Sequence, residues 1–576
     1  MGSAPPSDDS GTRPRPPSVV GRGAPVTAEP SPSLQLHSWR RLDWRFLLPA
    51  LGDGPVVLAG RPDEELRAAL PLLGLPVHRV TSDQDWEAVG GTASLVVLID
   101  PTPKDLGSAT GACRPGASVY AEVRRSLCRL QGPWTLMGWR RAFAAAGLEE
   151  VSAHWHARTI DRSARIIPVE ARGAMRHALA QHQGSWLRRI LAATARAAVG
   201  VGLLPALIPE GSVVGRYPEV AEGAGKNLVE RVLAENVDRL GLSAVGLGAA
   251  LETAFLTPRF VTSRHVVVLV YAKGESRPRL VVKVPRQPDD SRGVRREADM
   301  MRRLAALLGP DRLRVPAVLG TVACDGLSLL VESAIRGAVL TPPQAHRHFR
   351  TVLAAGTSFI GALPVVRPAG ENADWYGPAV ERPLARLAEI APLAGETAAL
   401  CARTHELLAP LRSVPLPAVF EHGDLAFPNL YFGGRDTRLG VIDWERSTTS
   451  GVPGHDLVFF LQFVSESRWS ASTWPAQVAA FRDAFVGPDA WAVPVLREHL
   501  RHRGVDPTSW GRLVVMTWAR TSATLADRLV LDEDRDDLCP SAAVEAAVRL
   551  ERETRLWRLA VELAERGELG DRAGSA

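Results

Sequence analysis

An α/β unit followed by an α+β unit accounts for the pattern of this chain, and three observations lead there. The chain has 576 residues, more than one hydrophobic core can serve. Between Trp39 and Trp155, short apolar runs alternate with helical stretches, as buried parallel strands joined by crossover helices do. From about Glu235 the chain is β-rich up to Glu332 and mainly helical to its end, with no internal repeat.

Composition narrows the class. Hydrophobic residues at 46% and charged residues at 23%, with 50 Gly and 44 Pro, exclude collagen, coiled coil and wholesale disorder. The 68 bases exceed the 63 acids by only five charges, too few to argue for nucleic acid or a membrane surface as partner. Cys113, Cys128, Cys324, Cys401 and Cys539 are an odd set without C-x-x-C spacing. No disulfide framework or zinc site is readable, and a reducing cytoplasm is the expected location. Only four lysines (Lys104, Lys226, Lys273, Lys283) and four asparagines (Asn227, Asn236, Asn372, Asn429) are present, so either residue type in a buried pattern is informative.

Taken in order, residues 1–35 form a proline-rich tail expected to be disordered. Residues 36–180 form the α/β unit. Val56–Ala59 and Leu95–Ile99 are its strands, Glu64–Leu73 a helix, and Ala117–Val123 and Glu149–Trp155 further strands. Residues 181–234 are a connector. Its apolar stretch within 186–208 is too short to span a bilayer, which needs about 20 residues; a packed connector is the expectation, and an interfacial membrane contact the alternative. Residues 235–335 make a small β-rich lobe, and residues 336–576 a helical lobe.

The chemistry lies in Phe420-Glu421-His422-Gly423-Asp424-Leu425-Ala426-Phe427-Pro428-Asn429, followed by Val441-Ile442-Asp443-Trp444. A short loop presents Asp424 and, five residues on, Asn429; a hairpin then ends in Asp443. Singly, these are a turn cap, a turn former and an ordinary aspartate. Together they are what phosphoryl transfer needs: one carboxylate to accept the proton of an attacking hydroxyl, and an amide oxygen with a second carboxylate to hold Mg²⁺ against nucleotide phosphates.

H-G-D-x-x-x-x-N followed by I-D-W resembles the catalytic loop and metal motif of the aminoglycoside phosphotransferase and choline kinase family, relatives of protein kinases. The resemblance implies a bilobal kinase-like domain over the last 340 or so residues, ATP and Mg²⁺ as cofactors, Asp424 as catalytic base, Asn429 and Asp443 as metal ligands, and His422 as the loop-stabilising histidine. Asp456, in Gly454-His455-Asp456-Leu457, either supports that loop through backbone hydrogen bonds or caps a helix.

A kinase-like enzyme also needs a strand lysine for the phosphates and a helix glutamate to fix it. Lys283 stands in the strand Leu280–Val284. Glu297 opens the face Glu297, Met301, Leu304, Leu308 of a helix. The phosphate-covering turn from Thr257 to His265 contains no glycine, so Thr262, Ser263 and Arg264 are the expected phosphate donors. Leu329–Ser333 resembles the strand entering the hinge, where backbone groups of about Glu332, Ser333 and Ala334 would pair with adenine.

The α/β unit resembles a class I S-adenosylmethionine-dependent methyltransferase core, a Rossmann-like fold. Its first loop, Ala59-Gly60-Arg61-Pro62-Asp63, keeps one glycine and gains Arg-Pro where a cofactor needs close backbone approach. A degenerate, cofactor-free unit is expected. The overall expectation is a cytoplasmic, ATP-dependent O-phosphotransferase acting on a sugar, amino alcohol or aminoglycoside hydroxyl. The alternatives are a pseudokinase-type scaffold and a methyltransferase with a regulatory kinase-like half. The acidic run Asp532–Asp537 reads as a solvated face, or as an acidic lip for a polycationic acceptor.

Overall fold

The computed structural model describes residues 38–570 apart from 125–132, 134, 158–159, 161–162, 181–192, 200–207, 209, 220–225, 248–249, 259–262, 289, 310–311, 391–395, 434–436 and 532–547. The tail, most of the 186–208 segment, Thr262 and the Asp532–Asp537 run therefore lie outside the described residues. Among the described residues no helix is long and apolar enough to cross a membrane.

The first half begins as a parallel sheet. β1 (Val56–Gly60) lies between β2 (Val77–Val80) and β3 (Ala93–Ile99), and β3 pairs in parallel with β4 (Cys113–Arg124). β3 is buried along its whole length, which is why it reads as an unbroken apolar run rather than an alternation. The crossover helices start where the local chemistry satisfies their first N–H groups. Ser82 and Asp85 make a reciprocal capping box before Asp83–Val89, and Thr102 and Asp105 do the same before Pro103–Ala112.

β7 (Glu210–Arg216), inside the stretch expected as a connector, inserts antiparallel between β4 and β5 (Glu149–His156). Its Gly-Ser-Val-Val-Gly sequence is too short and too small in side chain to stand out, yet it is buried by strands on both sides.

The two halves share one sheet. β6 (Arg165–Pro168) pairs antiparallel with β5 on one side and with β8 (Leu251–Leu256) on the other. From β8 the sheet continues through β9 (His265–Ala272) and β10 (Leu280–Pro285) to β12 (Leu327–Ser333) and β11 (Val318–Cys324). The result is a twelve-stranded sheet in the order β11-β12-β10-β9-β8-β6-β5-β7-β4-β3-β1-β2. One core on its face holds Trp39, Trp44, Leu58 and Val97 together with Val229, Val268 and Val282. Both halves are thus closed by the same apolar layer. Docking is tight elsewhere too: a Cβ on Gly173, in the Arg172–Ala180 helix, would lie 1.9 Å from the Glu275 carbonyl in the β9–β10 turn.

Beyond β12 the second half is mainly helical. Helices including Phe349–Ala362, His455–Arg468, Trp510–Leu531 and Arg552–Glu565 surround a separate core centred on Trp444, Phe460, Trp518 and Trp557. Two three-stranded sheets accompany it. One joins β13 (Ala338–Val339), β16 (Leu430–Phe432) and β17 (Gly440–Val441); the other joins β14 (Val365–Arg367), β15 (Ala418–Glu421) and β18 (Thr448–Gly451). Residues 422–429 are the loop between β15 and β16.

At the carboxyl edge of β1, β3 and β4 stands Arg41. It donates to both oxygens of the buried Glu122 at 2.6 and 2.9 Å and to Asp63 at 2.9 Å, and Tyr120 donates to Glu122 at 3.2 Å. A Cβ on Gly60 would meet the Ile99 carbonyl at 2.1 Å, so this glycine serves strand packing rather than ligand approach. The ion-pair network fills the edge where open α/β sheets bind ligands. The full-length protein should therefore give no binding heat with S-adenosylmethionine at 100-micromolar order by calorimetry, and a micromolar dissociation constant would overturn that expectation.

Candidate active site

The site lies in a cleft of about 1750 Å³ between the strands β9, β10 and β12 and the 422–445 segment. Lys283 reaches it from the middle of β10, almost fully buried. Its Nζ donates to both oxygens of Glu297 at 2.7 and 2.7 Å and to Oδ1 of Asp443 at 2.8 Å. Burial opposes its charge, but the two carboxylates outweigh that and hold the ammonium well above its ordinary pKa. Glu297 also accepts the Trp444 N–H at 2.8 Å, so one buried carboxylate ties the Arg292–Leu308 helix to both lobes.

Asp443 has φ 68° and ψ 65°, a left-handed conformation that costs a non-glycine residue on the order of 1–3 kcal/mol. Its neighbours impose it: the Ile442 N–H donates to the Asn429 carbonyl at 3.0 Å, and Trp444 is fully buried. The turn aims the carboxylate out of the helical lobe toward Lys283. Burial alone would raise its pKa, yet the Lys283 ammonium keeps it well below the ordinary carboxylate range.

The 422–429 loop is held from beneath. Asp456 accepts the N–H groups of His422 at 2.7 Å and Gly423 at 2.9 Å, whereas Gly454 occupies the cap position of the following helix. Loop support, not capping, is thus the role its geometry fits. His422 is fully buried with its ring edge-on to Trp444. Nε2 donates to the Ile442 carbonyl at 3.0 Å and Nδ1 accepts the Asp424 N–H at 3.2 Å. Burial depresses its pKa, consistent with the neutral ring these partners require. Asn429 donates to the Asp424 carbonyl at 3.1 Å, leaving its amide oxygen as an acceptor.

Asp424 lines the cleft, with its nearest cation, Arg446, at 3.7 Å. Burial raises its pKa, and Arg446 works against that. Further donors gather beside Asp443. The ligand atoms of His265, Asp443 and Glu445 lie within 4.8 Å of one another. Burial and the Asp443 charge push Glu445 up to about 7, and burial with nearby Lys283 pushes His265 down to about 3. Asn429, Asp443 and Glu445 offer the hard oxygen donors that suit Mg²⁺; His265 adds a nitrogen. Asp-x-Glu was visible in the sequence, but His265 reaches the site only through the β9–β10 register.

Other expected contacts find different partners. The Ser263 hydroxyl accepts from Arg286 at 3.0 Å and donates to the His265 carbonyl at 3.3 Å, and Arg264 pairs with Asp290 at 3.2 Å. The N–H groups of Ser333 and Ala334 donate to the Ala317 and Arg279 carbonyls at 2.8 and 3.0 Å, so the sheet edge uses them before a base can. What Glu332 turns into the cleft is its side chain, buried and with Oε2 lacking a partner among the described residues. Burial raises that carboxyl to about 8, against the pull of Lys283, so at neutral pH it can donate as well as accept. Arg176, His177 and Arg196 of the first half also line the cleft; nothing in the sequence pattern linked them to it.

Residues 264–498 match the phosphotransferase enzyme family. They form a phosphotransferase domain, that of a small-molecule kinase. No curated protein matches the chain. Among solved structures, the chain is similar to a thermostable mutant of aminoglycoside phosphotransferase APH(4)-Ia in ternary complex with AMP-PNP and hygromycin B, at 14% identity and TM-score 0.35, covering 59% of this chain and 99% of that one. It is also similar to APH(2")-IIia in its GDP and kanamycin complex (15%, 0.32, 55% and 92%). A third is APH(3'')-Id from Streptomyces rimosus ATCC10970 (18%, 0.29, 45% and 89%). The phosphotransferase match begins within the glycine-free turn and leaves the α/β unit outside it.

Asp456→Ala should leave two buried loop N–H groups unpaired, at about 1–3 kcal/mol each. Turnover should fall by on the order of tenfold or more through loss of loop placement, while nucleotide affinity, to which Lys283 and the strands of the opposite wall also contribute, changes less. Equal loss of both in a titration and a rate assay would contradict that role.

Proposed function

We propose that the protein catalyses ATP-dependent O-phosphorylation of a small hydroxylated acceptor. The observation that carries this reading is the meeting of Lys283, Asp443 and Asp424 at one cleft, with Glu297 bonded to Lys283 from behind. Asp424 would accept the acceptor's hydroxyl proton as its oxygen forms a bond to the γ-phosphorus and the bond to the β-phosphate oxygen breaks, releasing ADP. Lys283, fixed by Glu297, would pair with the phosphates. A Mg²⁺ ion held by Asn429 and Asp443, with Glu445 alongside, would neutralise charge on the phosphate oxygens. With nucleotide and cation both bound, Lys283 would keep its pair with Glu297, while Asp443 would turn from Lys283 to the cation.

The Glu332 carboxyl supports a nucleotide reading of the inner cleft, since a neutral acid beside an amine-bearing base edge can both give and take a hydrogen bond. For the acceptor, sugar, amino alcohol and aminoglycoside hydroxyls all remain within the reading. Purified protein with ATP and Mg²⁺, offered each class and read by mass spectrometry for a phosphate gain, is the direct test. Phosphate gain on none of them, with no ATP binding, would sink it.

Asp424→Asn should lose on the order of 10²–10⁴ in turnover while still binding ATP; full activity would remove Asp424 from the role of base. The pH profile gives a second check. A base raised by burial must be deprotonated to act, so kcat/KM should fall on acidification with a midpoint above the ordinary aspartate range. Arg446 lowers that pKa; Arg446→Ala should move the acid limb to higher pH, and a shift in the other direction would refute the assignment.

A further inference from the structure

Arg286, at the end of β10 and three residues beyond Lys283, is fully buried, and all five of its guanidinium N–H groups have acceptors. Nε and Nη2 donate to the two oxygens of Asp43 at 2.9 and 3.0 Å. Nη2 also donates to the Pro258 carbonyl at 3.0 Å, and Nη1 to the carbonyl and hydroxyl of Ser263 at 2.5 and 3.0 Å. Pro258 and Ser263 are the two ends of the glycine-free turn, and both line the cleft with Lys283 and Asp443. Arg45 donates to the Arg286 carbonyl. Thr257, next to Pro258, is anchored by the Ser163 and Ala164 carbonyls at 2.9 and 3.0 Å.

Besides Arg286 itself and the Arg264–Asp290 pair, the turn is held by residues 163–164, and Arg286 is held by residues 43–45, all of them upstream of the phosphotransferase match at 264–498. A glycine-rich turn can wrap phosphates with its own amides; this one has no glycine, so its position must be set by side chains. A planar fork with five donors is suited to that, provided something orients it. Asp43 does so with a bidentate pair, while itself buried.

Resting on the phosphotransfer reading, we propose that Asp43 is a positioning residue of the nucleotide site: it orients Arg286, which holds Pro258 and Ser263 in the wall of the cleft that Lys283 and Asp443 also line. The α/β half would then be a working part of the kinase rather than an appended unit.

The test uses the full-length chain. Wild type, Asp43→Ala, Asp43→Asn and Asp43→Glu are compared for ATP affinity by calorimetry, for KM and kcat, and for melting temperature by circular dichroism. Glu122→Gln, which breaks the Arg41 pair in the same half and does not touch the turn, is the control for general destabilisation. The expected result is at least a tenfold loss of ATP affinity and a matching rise in KM for ATP in Asp43→Ala, with kcat reduced less. Asp43→Glu should recover part of the affinity, and Glu122→Gln should lower the melting temperature without weakening ATP. If Asp43→Ala does not fold, Asp43→Asn, which keeps size and one acceptor, decides by the same measure. Unchanged ATP affinity in a folded Asp43 variant, or equal losses in Glu122→Gln, overturns the proposal. Failure of the wild type to bind ATP would instead fell the phosphotransfer reading itself.

Discussion

A buried ammonium sets the terms for this molecule. Lys283 sits in the middle of a strand with apolar neighbours on either side, where an unpaired charge would cost several kcal/mol. Its compensation comes from two places that share no local sequence: Glu297 on a helix 14 residues later and Asp443 from 160 residues later. Both must arrive at 2.7–2.8 Å for the burial to be tolerable, and Glu297 must also take the Trp444 N–H. The pair and its third partner thereby fix the strand, the helix and the helical lobe with respect to one another. The Arg292–Leu308 helix shows the division of labour: its apolar positions Ala298, Met301 and Leu304 pack into the helical-lobe core, and its one buried acid faces the strand.

A second constraint is the continuity of the sheet. β8 would be an edge strand in a free-standing kinase-like lobe, with a row of unpaired backbone groups open to aggregation. Here β6 covers it, and β6 is in turn held by β5. The shared core around Trp44, Val97, Val268 and Val282 means that neither half buries its apolar face without the other. Arg41, Glu122 and Asp63 close the far edge with charge where a ligand would otherwise sit.

Much of this could be read from residue order. The strands at 56–60, 93–99, 265–272, 280–285 and 327–333 are apolar runs that their burial required, and Glu297 stood at the right helical spacing from Met301 and Leu304. The 422–429 loop was legible because its residue types and spacing are demanded by one chemistry. What was not legible depends on register and distance. β7 is short and small-residued, and only strands on both sides make it one. His265 joins Asp443 and Glu445 through pairing of β9 with β10. Ser263 and Ser333 looked like donors, but local partners had already taken them. Asp456 was ambiguous between two uses of the same carboxylate, and only the positions of two N–H groups separate them.

The glycine-free turn shows why such partners escape a linear reading. Glycine loops approach phosphates because they carry no side chain, and their geometry is written in their own residues. Where glycine is missing, order has to be supplied by contacts from elsewhere, and the entropy lost on ordering the turn must be offset by bonds made outside it. Arg286 makes three such bonds to the turn and two to Asp43, which lies 243 residues upstream. A guanidinium so placed is stable only if every donor is met, because a buried unmet donor costs more, about 1–3 kcal/mol, than the roughly 0.5–1.5 kcal/mol a made bond contributes. Arg286 thus ties Asp43 to Pro258 and Ser263, and the seam between the two halves of the chain runs through the wall of the cleft rather than beside it.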